Sequence, residues 1–161
     1  MKLLLVSDTH GSTRELEAVL KRYANEVDTV LHLGDFEDDL TRYQRDYPQL
    51  KMMTVLGNCD FDPFKLTEQI LQINGVSILM THGHIRSVKT DLTRLMRYAR
   101  EKQVNACFFG HTHQAFMEWN DEIFFMNPGS LGDPRYGNGA TFGLVEISET
   151  GEITGEVVDY E

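Results

Sequence analysis

"LLLVSDTH", residues 3–10, decides how this chain is read. Four apolar residues in a row fit a buried strand. The run then stops, and Asp8 and His10 follow within a few residues. The next stretch, "STRELEAVLKRYA" (12–24), carries Leu16, Val19, Leu20 and Tyr23 at helical spacing, and Ser12 with Glu15 spells a capping box. Strand, polar loop and amphipathic helix are the opening of an α/β crossover unit.

The same order continues outward. "DTVLHL" (28–33) reads as a strand, a polar helical segment follows around 38–46, and "KMMTVL" (51–56) is a third strand. The pattern then changes. "LTEQILQI" alternates apolar and polar residues, and Asn74-Gly75 before "VSILM" is a strong hairpin signal. Residues 89–102 read as a helix with Leu92, Leu95, Met96 and Ala99 on one face, and "ACFF" is again a buried strand. The remainder is strand-rich, with turn signals at Asn120-Asp121 and Thr150-Gly151. Crossovers first and hairpins later predict an α/β fold of two packed mixed β-sheets flanked by helices, a four-layer α-β-β-α sandwich. The 161 residues suit one domain spanning 1–161.

Composition excludes several classes. No apolar run approaches the roughly 20 residues of a membrane span, and Asp8 comes too early for a signal peptide. Two cysteines make no disulfide framework and fit a reducing, cytoplasmic compartment. Cys107, within an apolar run, reads as a buried core thiol. The formal net charge of −10 argues against stable nucleic-acid binding through a basic surface. A phosphate-bearing substrate would need positive charge from another source.

That source is suggested by what ends each apolar run. "LLLVSDTH" ends in Asp8 and His10, "VLHLGD" in Asp35, "TVLGN" in Asn58, "SILMTHGH" in His82 and His84, and "CFFGHTH" in His111 and His113. Parallel strands would bring these ends to one edge, where sites of α/β sheets form. Five of the six histidines fall there. Asp8/His10 and His111/His113 have i, i+2 spacing, which aims both side chains one way in extended backbone. Carboxylates, imidazoles and one amide oxygen suit Mn, Fe, Zn, Co or Ni better than Ca or Mg. Even seven of these eight donors are too many for one such ion with open positions, and they fit two ions sharing a carboxylate. Two ions roughly 3.5–4 Å apart can hold a hydroxide for in-line attack at phosphorus. Against two aspartates they leave about +2 locally.

"DTH", "GDFED", "GNCD", "THGH" and "GHTH", in this order across residues 8–113, resemble the signature blocks of the calcineurin-like metallophosphoesterases. "GNCD" and "NPGSLGDPR" (127–135) are similar to its small bacterial and archaeal phosphodiesterase branch, which is YfcE-like. The resemblance implies the same sandwich fold and two transition-metal ions, manganese first. It implies that Asp8, His10 and His113 hold one metal and Asn58, His82 and His111 the other, with Asp35 bridging. The implied activity is hydrolysis of a small phosphate ester, a diester first, by a metal-bridging hydroxide. A phosphomonoesterase and a non-catalytic scaffold like the retromer subunit are the alternatives, and a homo-oligomer is compatible with all three.

Cys59 departs from the wider family, which places a proton-donating His there supported by an Asp at the position of Asp38. Cys59 is then a substitute donor, a thiol beside the metals, or inert, and Asp38 shares its fate. His84 supports a ligand, touches substrate or supplies the missing proton. His32 reads as a satisfied core histidine. Arg135 is either a phosphate contact or a solvated loop residue.

Overall fold

The computed structural model describes all of residues 1–161. In chain order, β1 (Lys2–Val6), α1 (Thr13–Tyr23), β2 (Thr29–His32), α2 (Asp38–Thr41) and β3 (Lys51–Thr54) form the crossover half. They are followed by β4 (Glu68–Ile73), β5 (Val76–Thr81), a 3-10 turn at His84–Arg86, α3 (Thr93–Glu101) and β6 (Ala106–Phe108). The chain closes with β7 (Ala115–Asn120), β8 (Ile123–Pro128), β9 (Thr141–Ile147) and β10 (Ile153–Asp159).

Two five-stranded sheets result, ordered β10-β9-β1-β2-β3 and β4-β5-β6-β8-β7. β1, β2 and β3 are mutually parallel, as are β5, β6 and β8, while β4, β7, β9 and β10 pair antiparallel. Both sheets are therefore mixed, as expected. In β1 the pleat sends Leu3 and Leu5 to the core between the sheets, with Leu31, Ile78, Met80, Phe108 and Met126. Leu4 and Val6 face the other way and pack with Leu16, Val19 and Leu20 of α1. On the second sheet Leu79, Cys107 and Phe125 meet Leu95 and Ala99 of α3. The unbroken apolar run "LLLV" is thus a strand covered on both faces. Cys107 is fully buried, and burial pushes its thiol far above the ordinary range.

Three local readings change. Ser12 makes no capping bond. Its hydroxyl donates to the Gly132 carbonyl at 3.4 Å, so the capping box is not formed. The polar helix around 38–46 shrinks to Asp38–Thr41 and continues as turns. Helix α3 starts at Thr93 rather than 89, because the Asp91 carboxylate takes the Thr93 N–H at 2.8 Å and sets the start there. The hairpins hold: Asn74 and Gly75 take φ of 49° and 79°, the primed turn that matches strand twist.

Phe108 is fully buried between the sheets and its ring packs edge-on to Phe124 at 6.5 Å. Phe108→Ala should cost about 3–5 kcal/mol, read as a lower midpoint in urea denaturation. A loss under about 1 kcal/mol would contradict the close packing of this core.

Candidate metal centre

The C-terminal ends of β1, β2 and β3 meet those of β5 and β6 at one edge of the sandwich, three from one sheet and two from the other. Close backbone approach is what permits it. A Cβ on Gly34 would stand 2.7 Å from both Gly57 N and His82 Nδ1, and one on Gly110 would lie 3.0 Å from Asp8 Oδ2. Glycine is the one residue that fits either place.

The aiming mechanism differs from the sequence expectation. Asp8, His10, Asp35, His111 and His113 have φ of 52°, 46°, 60°, 70° and 58°. These residues lie in the left-handed region, not in extended backbone, so i, i+2 alternation does not orient them. Non-glycine residues pay about 1–3 kcal/mol each for such positions, which cluster where structure serves function.

The donor atoms converge in two groups. Asp8, His10, Asp35 and His113 bring ligand atoms within 4.8 Å of one another, and so do Asp35, His82 and His111. Asp35 belongs to both. His113 Nε2 lies 3.2 Å from Asp8 Oδ1, His10 Nε2 lies 3.7 Å from Asp35 Oδ2, and His82 Nε2 lies 3.4 Å from the same oxygen. His111 Nδ1 stands 3.1 Å from His82 Nε2. Two nitrogens each about 2.1 Å from one ion at a right angle stand about 3 Å apart.

The remaining atoms of these side chains are already committed. His82 Nδ1–H donates to the Leu33 carbonyl and His113 Nδ1–H to the Asp133 carbonyl, each at 2.6 Å. Each neutral ring therefore keeps its lone pair on Nε2, facing the cluster. Asp8 Oδ2 accepts the Ser7 hydroxyl at 2.6 Å and the His111 N–H at 3.1 Å. Asp8 Oδ1 and His10 Nε2 are buried without a hydrogen-bond partner. An orphaned carboxylate oxygen and an orphaned imidazole nitrogen in one cluster are what a cation would satisfy.

Electrostatics agree. Burial opposes ionisation of Asp35, yet His82 and the Cys59 N–H outweigh it and hold the carboxyl well below its usual range. Asp8 is lowered too, with His113, His82 and Ser7 prevailing over burial. Burial opposes protonation of His82 and His113, but Asp35 and Asp8 raise the first, and Asp8 with the Asp133 carbonyl raises the second. Burial, then His82, pushes His111 down to about 4. The carboxylates draw positive charge inward, and protons on two histidines or a cation can supply it.

The other expected residues fall at different distances from this centre. Asn58 is exposed on the loop after β3, its amide 3.4 Å from Cys59 Sγ. The Cys59 N–H donates to Asp35 Oδ1 at 2.8 Å, so this loop adjoins the shared carboxylate. Partial burial and Asp35 push the Cys59 thiol up. Asp38 does not support it. The Asp38 side chain is 78% exposed and its carboxylate takes the Lys65 ammonium at 2.8 Å, because Lys65 is drawn in by buried Glu37. His84 sits with its ring 5.4 Å from His82, and its Nδ1 is buried without a partner. Arg135 pairs with Asp133 at 2.8 Å and so braces the residue that orients His113.

Two further carboxylates carry roles that no sequence motif marks. Asp60 accepts backbone N–H groups from Asp35, Phe36, Glu37 and Gly57 at 2.8, 2.6, 3.3 and 2.7 Å. Asp39 accepts the Thr9 hydroxyl and the Gly11 N–H, each at 2.8 Å. His32 joins this layer: it accepts the Gly34 N–H on Nδ1, and its Nε2 is 3.0 Å from the Thr9 hydroxyl. It is a satisfied core histidine, as expected, that also braces the loop carrying His10.

With this geometry in view, a family model for the calcineurin-like phosphoesterase superfamily domain matches residues 1–150. The chain belongs to this superfamily. It is 34% identical to the probable metallophosphoesterase YsnB of Bacillus subtilis, over 91% of this chain and 85% of that one. To the phosphodiesterase YfcE of Escherichia coli it is 29% identical, over 91% and 88%. The crystal structure of zinc-complexed Vps29 from Entamoeba histolytica superposes with a TM-score of 0.79, covering the whole of both chains. At 23% identity that likeness carries the fold and nothing of the role. As a metallophosphoesterase, the chain is a hydrolase of phosphate esters with an Asp/His centre placed to bind metal.

Asp60→Asn keeps the side chain's size but removes its charge and one acceptor oxygen. It should weaken Mn²⁺ binding by about 10–100-fold, as loss of ligand support does, while leaving far-UV circular dichroism unchanged. Unaltered affinity in calorimetry would remove Asp60 from this role. Burial pushes fully buried His32 down to about 4 from 6.5. The unfolded chain gains that proton near pH 6.5 and the folded chain only near 4, so stability is complete above the window and falls as pH drops through it. The loss approaches about 3 kcal/mol. His32→Gln should flatten that part of the urea-stability profile relative to the wild type, and parallel profiles would contradict it.

Proposed function

We propose that this metallophosphoesterase is a phosphodiesterase working with two divalent transition-metal ions. Asp8, His10 and His113 would hold one, and Asn58, His82 and His111 the other, with Asp35 touching both. The carrying observation is that Asp35 alone belongs to both groups of converging donor atoms. The imidazole-rich donor set suits manganese first, then nickel, zinc, iron or cobalt. When bound, such a pair supplies an activated water and neutralises the phosphoryl oxygens.

The chain's own residues do the rest. The Nδ1–H bonds of His82 and His113 fix both rings. The Cys59 N–H and the Asp60 clamp fix Asp35. His84 faces the centre with an uncommitted Nδ1, but burial and His82 lower its pKa. A neutral ring donates a hydrogen bond to a phosphoryl oxygen and delivers no proton to a leaving alcohol. Cys59 holds its own proton tightly and Asp38 faces Lys65. With no strong acid at hand, esters whose leaving alcohol needs little protonation are favoured, which supports diesters over monoesters. Two free thiols, Cys59 and Cys107, fit the cytoplasmic reading.

Chelator-stripped protein should hydrolyse a nitrophenyl phosphodiester only after a transition metal is restored, Mn²⁺ best and Mg²⁺ poorly, with the matching monoester slower. Asp35→Asn and Asn58→Ala should each lose more than the roughly 10–100-fold that supporting residues cost, with the fold retained. Undiminished turnover in both variants would overturn the ligand assignment, and a monoester preference would move the enzyme to the phosphatases.

A further inference from the structure

Phe36 belongs to neither donor group, yet it is held in place at some cost. It directly follows Asp35, has a φ of 66° and is 44% exposed. A bulky residue in the left-handed region is a true outlier that persists only where its surroundings fix it. Here they do. The Phe36 N–H donates to Asp60 Oδ1 at 2.6 Å, and its carbonyl lies 3.3 Å from the Thr9 hydroxyl oxygen, whose proton goes to Asp39. Its ring centroid lies 5.4 Å from that of His10, with the planes tilted by 56°. One side of the ring thus meets a residue of the metal centre while much of the rest faces solvent. Phe61, one residue beyond the Asp60 that grips Phe36, is 96% exposed. Both loops joined by Asp60 therefore present an aromatic ring to solvent, and that of Phe36 lies against the centre.

An exposed aromatic face next to a phosphate-binding centre has one direct chemical use: stacking on a flat ring carried by the ester's alcohol. Stacking is tolerant of the ring's identity and adds affinity without adding charge. On a chain with a net charge of −10, that favours a small ester bearing a ring over a longer polyanion. We propose that Phe36 is a specificity-determining residue that selects phosphate esters of aromatic or nucleoside alcohols. This rests on the phosphodiesterase reading above for where the phosphoryl group sits.

The test uses the full chain loaded with Mn²⁺ and calorimetric titration of two matched pairs, adenosine 5′-monophosphate against ribose 5-phosphate and phenyl phosphate against methyl phosphate. The wild type should bind the ring-bearing member of at least one pair about tenfold tighter, the scale of one stacked ring. Phe36→Leu and Phe36→Ala should bring that ratio close to one, and Phe36→Trp should keep it. Preference within the adenosine pair alone assigns nucleoside esters, and preference in both pairs assigns aryl esters generally. A wild-type ratio near one, or a ratio that survives Phe36→Leu, overturns the proposal. So does a fall in Mn²⁺ affinity in Phe36→Leu that matches the lost ratio, since Phe36 would then merely hold His10. Nitrophenyl diester turnover is read in parallel. Ring preference without turnover removes the phosphodiesterase reading and keeps the platform, and turnover without ring preference does the reverse.

Discussion

One carboxylate ties the site to the fold. Asp60 receives four backbone N–H groups, three from the loop after β2 and one from the loop after β3. Backbone donors in a tight, partly buried turn must be paired or the turn does not form. That acceptor pairs the turn that keeps Asp35 and Phe36 at positive φ, with the Cys59 N–H and the His10 ring as further contacts, and it draws Gly57 against Asp35. The position of the shared carboxylate depends on this pairing, and through Asp35 so does the geometry that brings both donor groups together.

Around it the molecule solves a harder electrostatic problem. Asp8 and Asp35 are almost fully buried and ionised within reach of the same histidines. Burying two carboxylates together is costly unless their charge is met. Ser7, Cys59 and the His111 backbone each give a hydrogen bond, which leaves one oxygen of Asp8 bare. Backbone carbonyls at Leu33 and Asp133 take the outer protons of His82 and His113. The arrangement pre-sets lone pairs inward, so a cation finds a site that needs little rearrangement.

Strand ends are readable because they follow from local chemistry. An apolar run that halts at Asp8, Asp35 or His82 announces itself. What was not readable depends on partners far along the chain. Ser12 looked like a helix cap, yet its hydroxyl reaches Gly132. Asp60 sits within "GNCD" with no role of its own marked, and no spacing shows that its oxygens take N–H groups some two dozen residues away. Asp38 stood in a familiar block, but Lys65 draws it outward. The i, i+2 pairs pick out residues whose donor atoms do converge, but left-handed loops rather than pleated strands aim them.

The donors divide between the two sheets: Asp8, His10 and Asp35 leave the first, and His82, His111 and His113 leave the second. The His111 N–H on the Asp8 carboxylate already joins residues 103 positions apart. An ion shared by these groups would act as a further staple between two layers that meet through side-chain packing and a few hydrogen bonds, His82 to the Leu33 carbonyl among them. Its binding free energy would then add to the cohesion of the sandwich at this edge. The loaded enzyme would be more rigid across its layers than the stripped one, with catalytic loading and mechanical closure becoming a single event.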